Sequence, residues 1–338
     1  MSLFISTILL ACCSVASIAD SPSEPTREPL RIMVWNVLRG GNEIEDGPAK
    51  ALQIIRDTSP DVVLLQESYD IHGDRPELGA WLAGELGWHQ HQAESKHLCV
   101  LTPLEIEATF FHHEWHGVGA QLRDAQDRSL VAWSIWIDWR SFITYALRDN
   151  QTISDQELLA METEQSSRMD QARALVAHLR EAGHLESKLP VVVGGDWNCP
   201  SHLDWTVDTA RVYRDRRALP LPVSLLMESA GFEDAFREVH PNAVQHPGIT
   251  WSPWNRAKGD DGTGARQSFE RIDRLYLKNP MSTAGAWSLQ PIAAQVLPVE
   301  WESDAVPLEQ RAFPSDHGAL VIDLEWIRHG VESAAPGP

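Results

Sequence analysis

The feature that most restricts how this chain can fold is a set of apolar runs that stop abruptly at acids or amides. Asp61-Val62-Val63-Leu64-Leu65-Gln66-Glu67 is a continuous hydrophobic stretch ending in a carboxylate. Pro190-Val191-Val192-Val193 runs into Gly194-Gly195-Asp196-Trp197-Asn198, and Leu30-Arg31-Ile32-Met33-Val34-Trp35-Asn36-Val37 carries an amide just before Gly40 and Gly41. Short apolar runs bounded by turn residues read as buried strands. Leu98 to Leu101, Leu130 to Ile137, Phe142 to Leu147, Arg271 to Leu277 and Ala319 to Leu324 are further predicted strands.

Helical spacing alternates with these runs. Leu52 and Ile55 give Ala49 to Arg56 one buried face. Met169, Ala172, Leu175, Val176 and Leu179 mark an amphipathic helix closed by Gly183, and a third helix is expected from Ser224 to Ala230. Asp149 to Ser167 reads as an acidic helical or mobile excursion, and Asp204 to Pro222 as an irregular insertion. The mixture predicts an α/β protein in one domain, with its site along one rim of packed sheets.

Of 338 residues, 28 are Lys or Arg and 48 are Asp or Glu, for a net charge of −20. Hydrophobic residues make up 43% and charged ones 22%, which excludes disorder, a coiled coil or collagen. Such acidity argues against tight nonspecific binding to long nucleic acids, although a bound divalent metal reverses the field locally. Residues 1–19 carry an apolar run, Leu3 to Ala11, and small residues before Asp20. They read as an export signal without its usual positive start, too short to span a membrane. Leu9-Leu10-Ala11-Cys12 also fits a lipoprotein signal, with Cys12 as anchor. The expected organisation is a signal at 1–19, a tether at 20–29, a catalytic domain at 30–328 and a tail at 329–338, in a secreted or periplasmic protein. Cys99 and Cys199 remain after the signal, either paired or as two buried thiols.

Five polar spots stand in or beside the strands: Asn36, Glu67, Asp196 with Asn198, Asp273, and Asp316 with His317. Each alone reads equally as a turn former, a cap or an ion-pair residue. As a set they offer oxygen ligands for a hard divalent cation and one imidazole for proton or phosphate work.

In order along the chain, Met33-Val34-Trp35-Asn36, Leu65-Gln66-Glu67, Gly195-Asp196-Trp197-Asn198, Arg271-Ile272-Asp273-Arg274 and Ser315-Asp316-His317 resemble the endonuclease/exonuclease/phosphatase superfamily, the deoxyribonuclease I-like fold. Pro200-Ser201-His202-Leu203-Asp204-Trp205 resembles a bacterial branch of it. The resemblance implies a two-layer β-sandwich flanked by helices, four layers α/β/β/α, and hydrolysis of a phosphodiester or phosphomonoester with Mg²⁺ or Mn²⁺, or with Ca²⁺. Carried over residue by residue, Glu67 is the main metal ligand, Asn36 a ligand or phosphate contact, and Asp316 stands by the metal or behind its ligands. Asp196 positions or deprotonates the attacking water and Asn198 holds that water or a phosphate oxygen. His317 stabilises the developing charge, with Asp273 fixing its ring.

Many members carry a His-Leu pair on a central strand. Matching Phe142 to Leu147 to that strand puts Ala146 in the histidine's place, with Tyr145 and His202 as substitute donors. That departure leaves a second reading open, a degenerate protein that binds a phosphorylated ligand without turnover. The expected substrate is a small or lipid-linked phosphate ester. Other groups carry plainer expectations. His112, His113 and His116 read as a surface loop rather than a zinc site, and Arg214, Arg216 and Arg217 as a solvated cluster. Trp197, Trp205, Trp251 and Trp254 divide between core and a substrate platform, and Asp260-Asp261-Gly262 is too short a fragment of a calcium loop to count.

Overall fold

Val62, Val63, Leu64 and Leu65 are all fully buried, as a strand covered on both faces must be. The computed structural model describes residues 29–69, 77–95, 97–254, 264–281 and 284–330. The proposed signal, the acidic Asp260-Asp261-Gly262 fragment and the last residues of the tail lie outside these. Strands β1 (Leu30–Asn36), β2 (Val62–Gln66), β3 (His89–His91) and β4 (Cys99–Thr102) begin one sheet. A second consists of β5 (Glu105–His113), β6 (Gly117–Arg123), β7 (Ser129–Trp136), β8 (Val191–Asp196), β9 (Glu233–Asp234) and β10 (Asp273–Lys278). The chain then returns to the first with β11 (Trp287–Leu297) and β12 (Ala319–Arg328).

Strand order is β11-β12-β1-β2-β4-β3 in the first sheet and β5-β6-β7-β8-β10-β9 in the second. Both are mixed: β1 runs parallel to β2 and β7 parallel to β8, while their other neighbours are antiparallel. Because successive side chains point to opposite faces, each strand serves two cores. Ile32, Val34 and Leu64 meet Val118, Ala120, Ala132, Val192 and Leu275 between the sheets. Met33, Trp35, Val63 and Leu65 face outward onto α1 (Gly47–Thr58) and α2 (Leu78–Leu86). The α/β/β/α layering expected from the sequence is therefore present.

Four further elements complete the middle of the chain in order: α3 (Ile143–Asp149), α4 (Asp155–Thr163), α5 (Arg168–Glu181) and α6 (Val207–Val212). They are followed by α7 (Pro222–Ser229) and α8 (Ala235–Val239). On the outer face of the second sheet, Val131, Trp133, Val191 and Val193 pack under Leu175 and Leu179 of α5 and Val223 and Met227 of α7. Two glycines let these layers close. A Cβ on Gly194 would sit 2.7 Å from Leu64 and Val34 of the other sheet, and one on Gly195 would sit 1.9 Å from the Ile135 carbonyl oxygen.

Several sequence expectations need correction. Phe142 to Leu147 is not a strand: Ile143, Thr144 and Leu147 are buried along one side of α3, beside Leu158, Trp205, Leu219 and Leu221. Its β-branched and aromatic residues favour a strand locally, and packing overrides that preference. His112 and His113 belong to β5, and the insertion at Asp204 to Pro222 contains α6. Arg216 is buried against Glu270 (3.4 Å) rather than solvated, and Arg217 pairs with Asp155. Arg271 and Arg274 are buried too, Arg271 bonding Asp204 and Asp234. Cys99 and Cys199 are free thiols in different cores.

Candidate active site

β1, β2, β7 and β8 end at one rim, where β10 and β12 begin. Five polar spots 281 residues apart in sequence therefore converge. The amide of Asn36, at the end of β1, lies at the centre: Nδ2 donates to Glu67 Oε1 (3.1 Å) and Asp196 Oδ2 (3.1 Å), and sits 3.5 Å from His317 Nε2. Its Oδ1 accepts from the Leu38 N–H at 3.1 Å, so the amide presents a donor to the site.

Asn198 donates from Nδ2 to Asp196 Oδ2 (3.0 Å) and to the Ile137 carbonyl (2.8 Å), while its N–H reaches Asp196 Oδ1 at 2.9 Å. Asp273 pairs with Asp196 across β10 and β8, and its Oδ2 accepts from His317 Nδ1 at 2.9 Å. The loop carrying His317 is pinned twice. Ser315 Oγ donates to the Asn36 carbonyl (2.6 Å) and accepts from the His317 N–H (3.0 Å). Glu67 and Asn198 both take left-handed backbone, with φ of 55° and 50°. Asparagine tolerates this well, whereas for glutamate it is a strained conformation held by its surroundings. Here the Glu67 carbonyl accepts from the Gly40 N–H at 2.7 Å.

Burial pushes the Asp196 carboxyl up to about 7 against the pull of His317, with the Asp273 carboxylate adding to the rise. Burial works against the His317 imidazolium, but Asp273 and Asp196 outweigh it and hold the pKa well above the usual histidine value. These two carboxylates favour the charged form of the ring, and its Nδ1 donates to Asp273. Ligand atoms of Asp196, Asp273 and His317 lie within 4.8 Å of one another, the arrangement of a possible metal site. Among the described residues, the histidines at 112, 113 and 116 form no such cluster. Instead the rings of His113 and His116 stack at 4.5 Å, and His116 Nδ1 bonds the Trp136 carbonyl at 3.1 Å.

Above this polar floor opens a pocket of about 610 Å³, reached by Glu67, Asp196, Asn198, Asp316 and His317. Its walls are mostly aromatic: Tyr69, Trp115, Trp136, Trp139, Tyr145 and Trp251. Trp139 is 63% exposed and Trp115 47%. Among the described lining residues, Arg39 is the only Lys or Arg.

The central strand parallel to β8 is β7, and the residue it places opposite Asp196 is Trp136. Ala146 is accordingly not at the strand position from which the sequence reading drew its missing histidine. Trp136 Nε1 is buried without a hydrogen-bond partner. Tyr145 needs no bulge to reach the pocket, because it projects from a helix. Its hydroxyl accepts from Trp251 Nε1 (3.0 Å) and donates to Gln267 (2.8 Å). His202 is turned away, bonded to Ser224 (2.8 Å) and Glu228 (3.1 Å). Trp197, Trp205 and Trp254 are core residues; Trp251 alone of that set joins the pocket, its ring 4.8 Å from His317. Sequence reasoning missed Trp136, Trp139 and His97, whose only signal is a long-range pairing invisible in a linear pattern.

The profile of the Endonuclease/Exonuclease/phosphatase family matches residues 33–317. The chain is 28% identical over 315 residues to the uncharacterized protein F14F9.5 of Caenorhabditis elegans, covering 91% of this chain and 95% of that one. Among solved structures, D. rerio TDP2 complexed with single strand DNA product superposes with a TM-score of 0.53 at 16% identity, over 88% of this chain and 98% of that one. An AP endonuclease from Archaeoglobus fulgidus gives 0.51 at 16%, over 87% and 98%. The human Nocturnin catalytic domain with bound sulfate anion gives 0.51 at 15%, over 88% and 95%. At these identities the three superpositions establish a shared fold.

Proposed function

The chain belongs to the Endonuclease/Exonuclease/phosphatase family, and from that premise we propose that it hydrolyses a phosphodiester or phosphomonoester with the help of a divalent cation. The observation that carries the reading is the convergence of Glu67, Asp196, Asn198 and His317 on one pocket, with Asn36 and Asp273 buried behind them and hydrogen-bonded to them.

The donor set fits a hard cation. It is rich in carboxylate oxygens, and Asp273 Oδ1 is buried with no hydrogen-bond partner, the kind of orphaned oxygen that calls for an ion or water. Oxygen ligands favour Mg²⁺, Mn²⁺ or Ca²⁺ over zinc. We assign the cation to Glu67, with Asp316 beside it, and the Asp196–Asp273–His317 group, whose ligand atoms lie within 4.8 Å of one another, offers a second position that would take up the Asp273 oxygen. The two Nδ2 hydrogens of Asn36 are committed to Glu67 and Asp196, so this amide holds the two carboxylates in place. When bound, such a cation supplies neutralisation of the charge on the phosphoryl oxygens.

The chain's own groups do the rest. Asp196 orients the attacking water and takes its proton, and Asn198 fixes the carboxylate for that task. His317, positively charged and steered by Asp273, donates a hydrogen bond to the charge that develops on phosphorus-bound oxygen. Aromatic walls with Arg39 as their one Lys or Arg among the described residues support a small or lipid-linked ester rather than a long polyanion. We also propose export, on the apolar run from Leu3 to Ala11 and the small residues before Asp20; sequencing the amino terminus of the purified native protein tests that cleavage.

A second reading draws support from Trp136. An indole donates a hydrogen bond but does not give up its proton, and a missing general acid costs about 10²–10⁴-fold, so a slow or purely binding member of the fold is the alternative. One assay decides. The purified chain is given a generic diester, a monoester, DNA, RNA and a phospholipid, with Mg²⁺ or Mn²⁺ and then with chelator. Chelator-sensitive turnover that falls at least about 10²-fold in Asp196→Asn is expected. A variant as active as the parent would sink the mechanism, and silence on every substrate from folded protein would favour the binding reading.

A further inference from the structure

A second pocket, of about 590 Å³, lies on the other side of Tyr145 and Gln267 from the reaction centre. Among the described residues, four arginines line it, Arg148, Arg214, Arg216 and Arg266, against a single acid, Asp215. In a chain with 28 basic and 48 acidic residues, that local excess runs opposite to the whole molecule. Two of the four have their charges answered: Arg148 pairs with Asp149 at 2.7 Å, and Arg216 Nε lies 3.4 Å from Glu270. Arg214 and Arg266 are exposed and form no ion pair with the described residues.

Arg216 is held firmly. Its guanidinium lies 4.4 Å from the Tyr213 ring centroid, and Nη2 donates to the Phe269 carbonyl at 2.9 Å. Yet Nη1 makes no hydrogen bond although the side chain is only 2% exposed, and Nε meets only the Glu270 carboxylate at 3.4 Å. Leaving charged donors buried and unmet is costly, and an anion is what meets them. Several guanidinium groups lining one pocket supply the kind of donors that match the oxygens of a phosphoryl group.

We propose that Arg148, Arg214, Arg216 and Arg266 form a second anion site, built for a phosphoryl group and separate from the reaction centre. Gln267 lines this pocket and accepts the hydrogen bond of the Tyr145 hydroxyl, which faces the catalytic one. Arg148 stands one helical turn after Tyr145 on α3, its guanidinium 4.5 Å from that ring. An occupant is thus positioned to stiffen one wall of the reaction site. The phosphoryl group has two sources: a free anion, or a second phosphate on the substrate itself.

Binding of inorganic phosphate and of pyrophosphate to the full chain, measured calorimetrically in chelator, tests the site without relying on hydrolysis. The Arg214→Gln/Arg266→Gln double variant changes only exposed side chains and is expected to weaken binding at least tenfold, while His317→Ala, which removes the anion contact of the reaction centre, binds as the parent does. Equal binding by parent and double variant, or loss of binding in His317→Ala alone, would place the anion in the reaction centre and overturn the proposal. No binding by the parent would overturn it as well. A kinetic arm separates the sources. A tenfold fall in kcat/KM confined to substrates with two phosphates identifies the substrate's own group; loss only of the response to added phosphate identifies a free anion.

Discussion

At the scale of single residues, Trp136 is the most informative departure in the site. Its indole occupies the position opposite Asp196 and carries a buried N–H with no partner. Replacing it by phenylalanine removes that unmet donor and leaves a ring of similar shape. Trp136→Phe should therefore leave the unfolding midpoint within about 1 kcal/mol of the parent, because no protein hydrogen bond is lost. If the N–H meets the ester, kcat/KM falls about tenfold, the worth of roughly 1.4 kcal/mol. A large stability loss with unchanged kinetics would show that the residue serves packing alone. The polar floor was readable only as a set: one acid or amide at the end of an apolar run is as well explained as a turn or a cap, whereas five such spots in order are not. The walls were not readable, because Trp115, Trp139 and Tyr69 are ordinary residues until the fold gathers them.

At the scale of elements, the junction of β7 and β8 sets how precisely Asp196 is placed. Gly195→Ala would put a methyl group 1.9 Å from the Ile135 carbonyl, inside the strand pair, so the strands must separate. A cost of about 3 kcal/mol is expected, read as a lowered thermal midpoint; a variant as stable as the parent would mean that this junction is loose. The strands easiest to see beforehand were those buried on both faces, such as β2 and β8. β5 was not seen, because Glu105–His113 stays exposed or half-buried along its whole length and ends in two histidines. β11 was hidden by Pro291 and the register shift beside it. For α3 the signal was present but outweighed: Ile143 and Leu147 have helical spacing, whereas Phe142-Ile143-Thr144-Tyr145 has the composition of a strand.

At the scale of the whole molecule, buried ionic groups bind the loops beneath the site to the sheets. Asp204 receives Arg237 (2.6 Å) and Arg271 (2.8 Å), and Asp234 receives Arg271 (2.8 Å), so α8, β10 and the segment after Asn198 share one network. Glu270 lies beside it, accepting from Trp205 Nε1 at 2.9 Å. Burial pushes the Glu270 carboxyl up to about 7, against the opposing pull of Arg216. With the folded pKa above the ordinary value of 4.5, its contribution to stability is full below that value and is lost as pH rises through about 7. Asp196 titrates over the same window in both proteins, so denaturation at pH 5 and at pH 8 should show a larger loss in the parent than in Glu270→Gln; parallel behaviour of the two would refute the shift.

The order of strands in the first sheet also bears on when activity can arise. β12, the last strand among the described residues, does not lie at an edge but between β11 and β1, and His317 stands two residues before it. While the chain is still being synthesised, β1 lacks one neighbour, and Asn36, Glu67 and Asp196 wait for an imidazole that has not yet been made. On the proposed hydrolytic reading the reaction centre is complete only once residue 317 has been made, and a message that stops before it is expected to give no turnover.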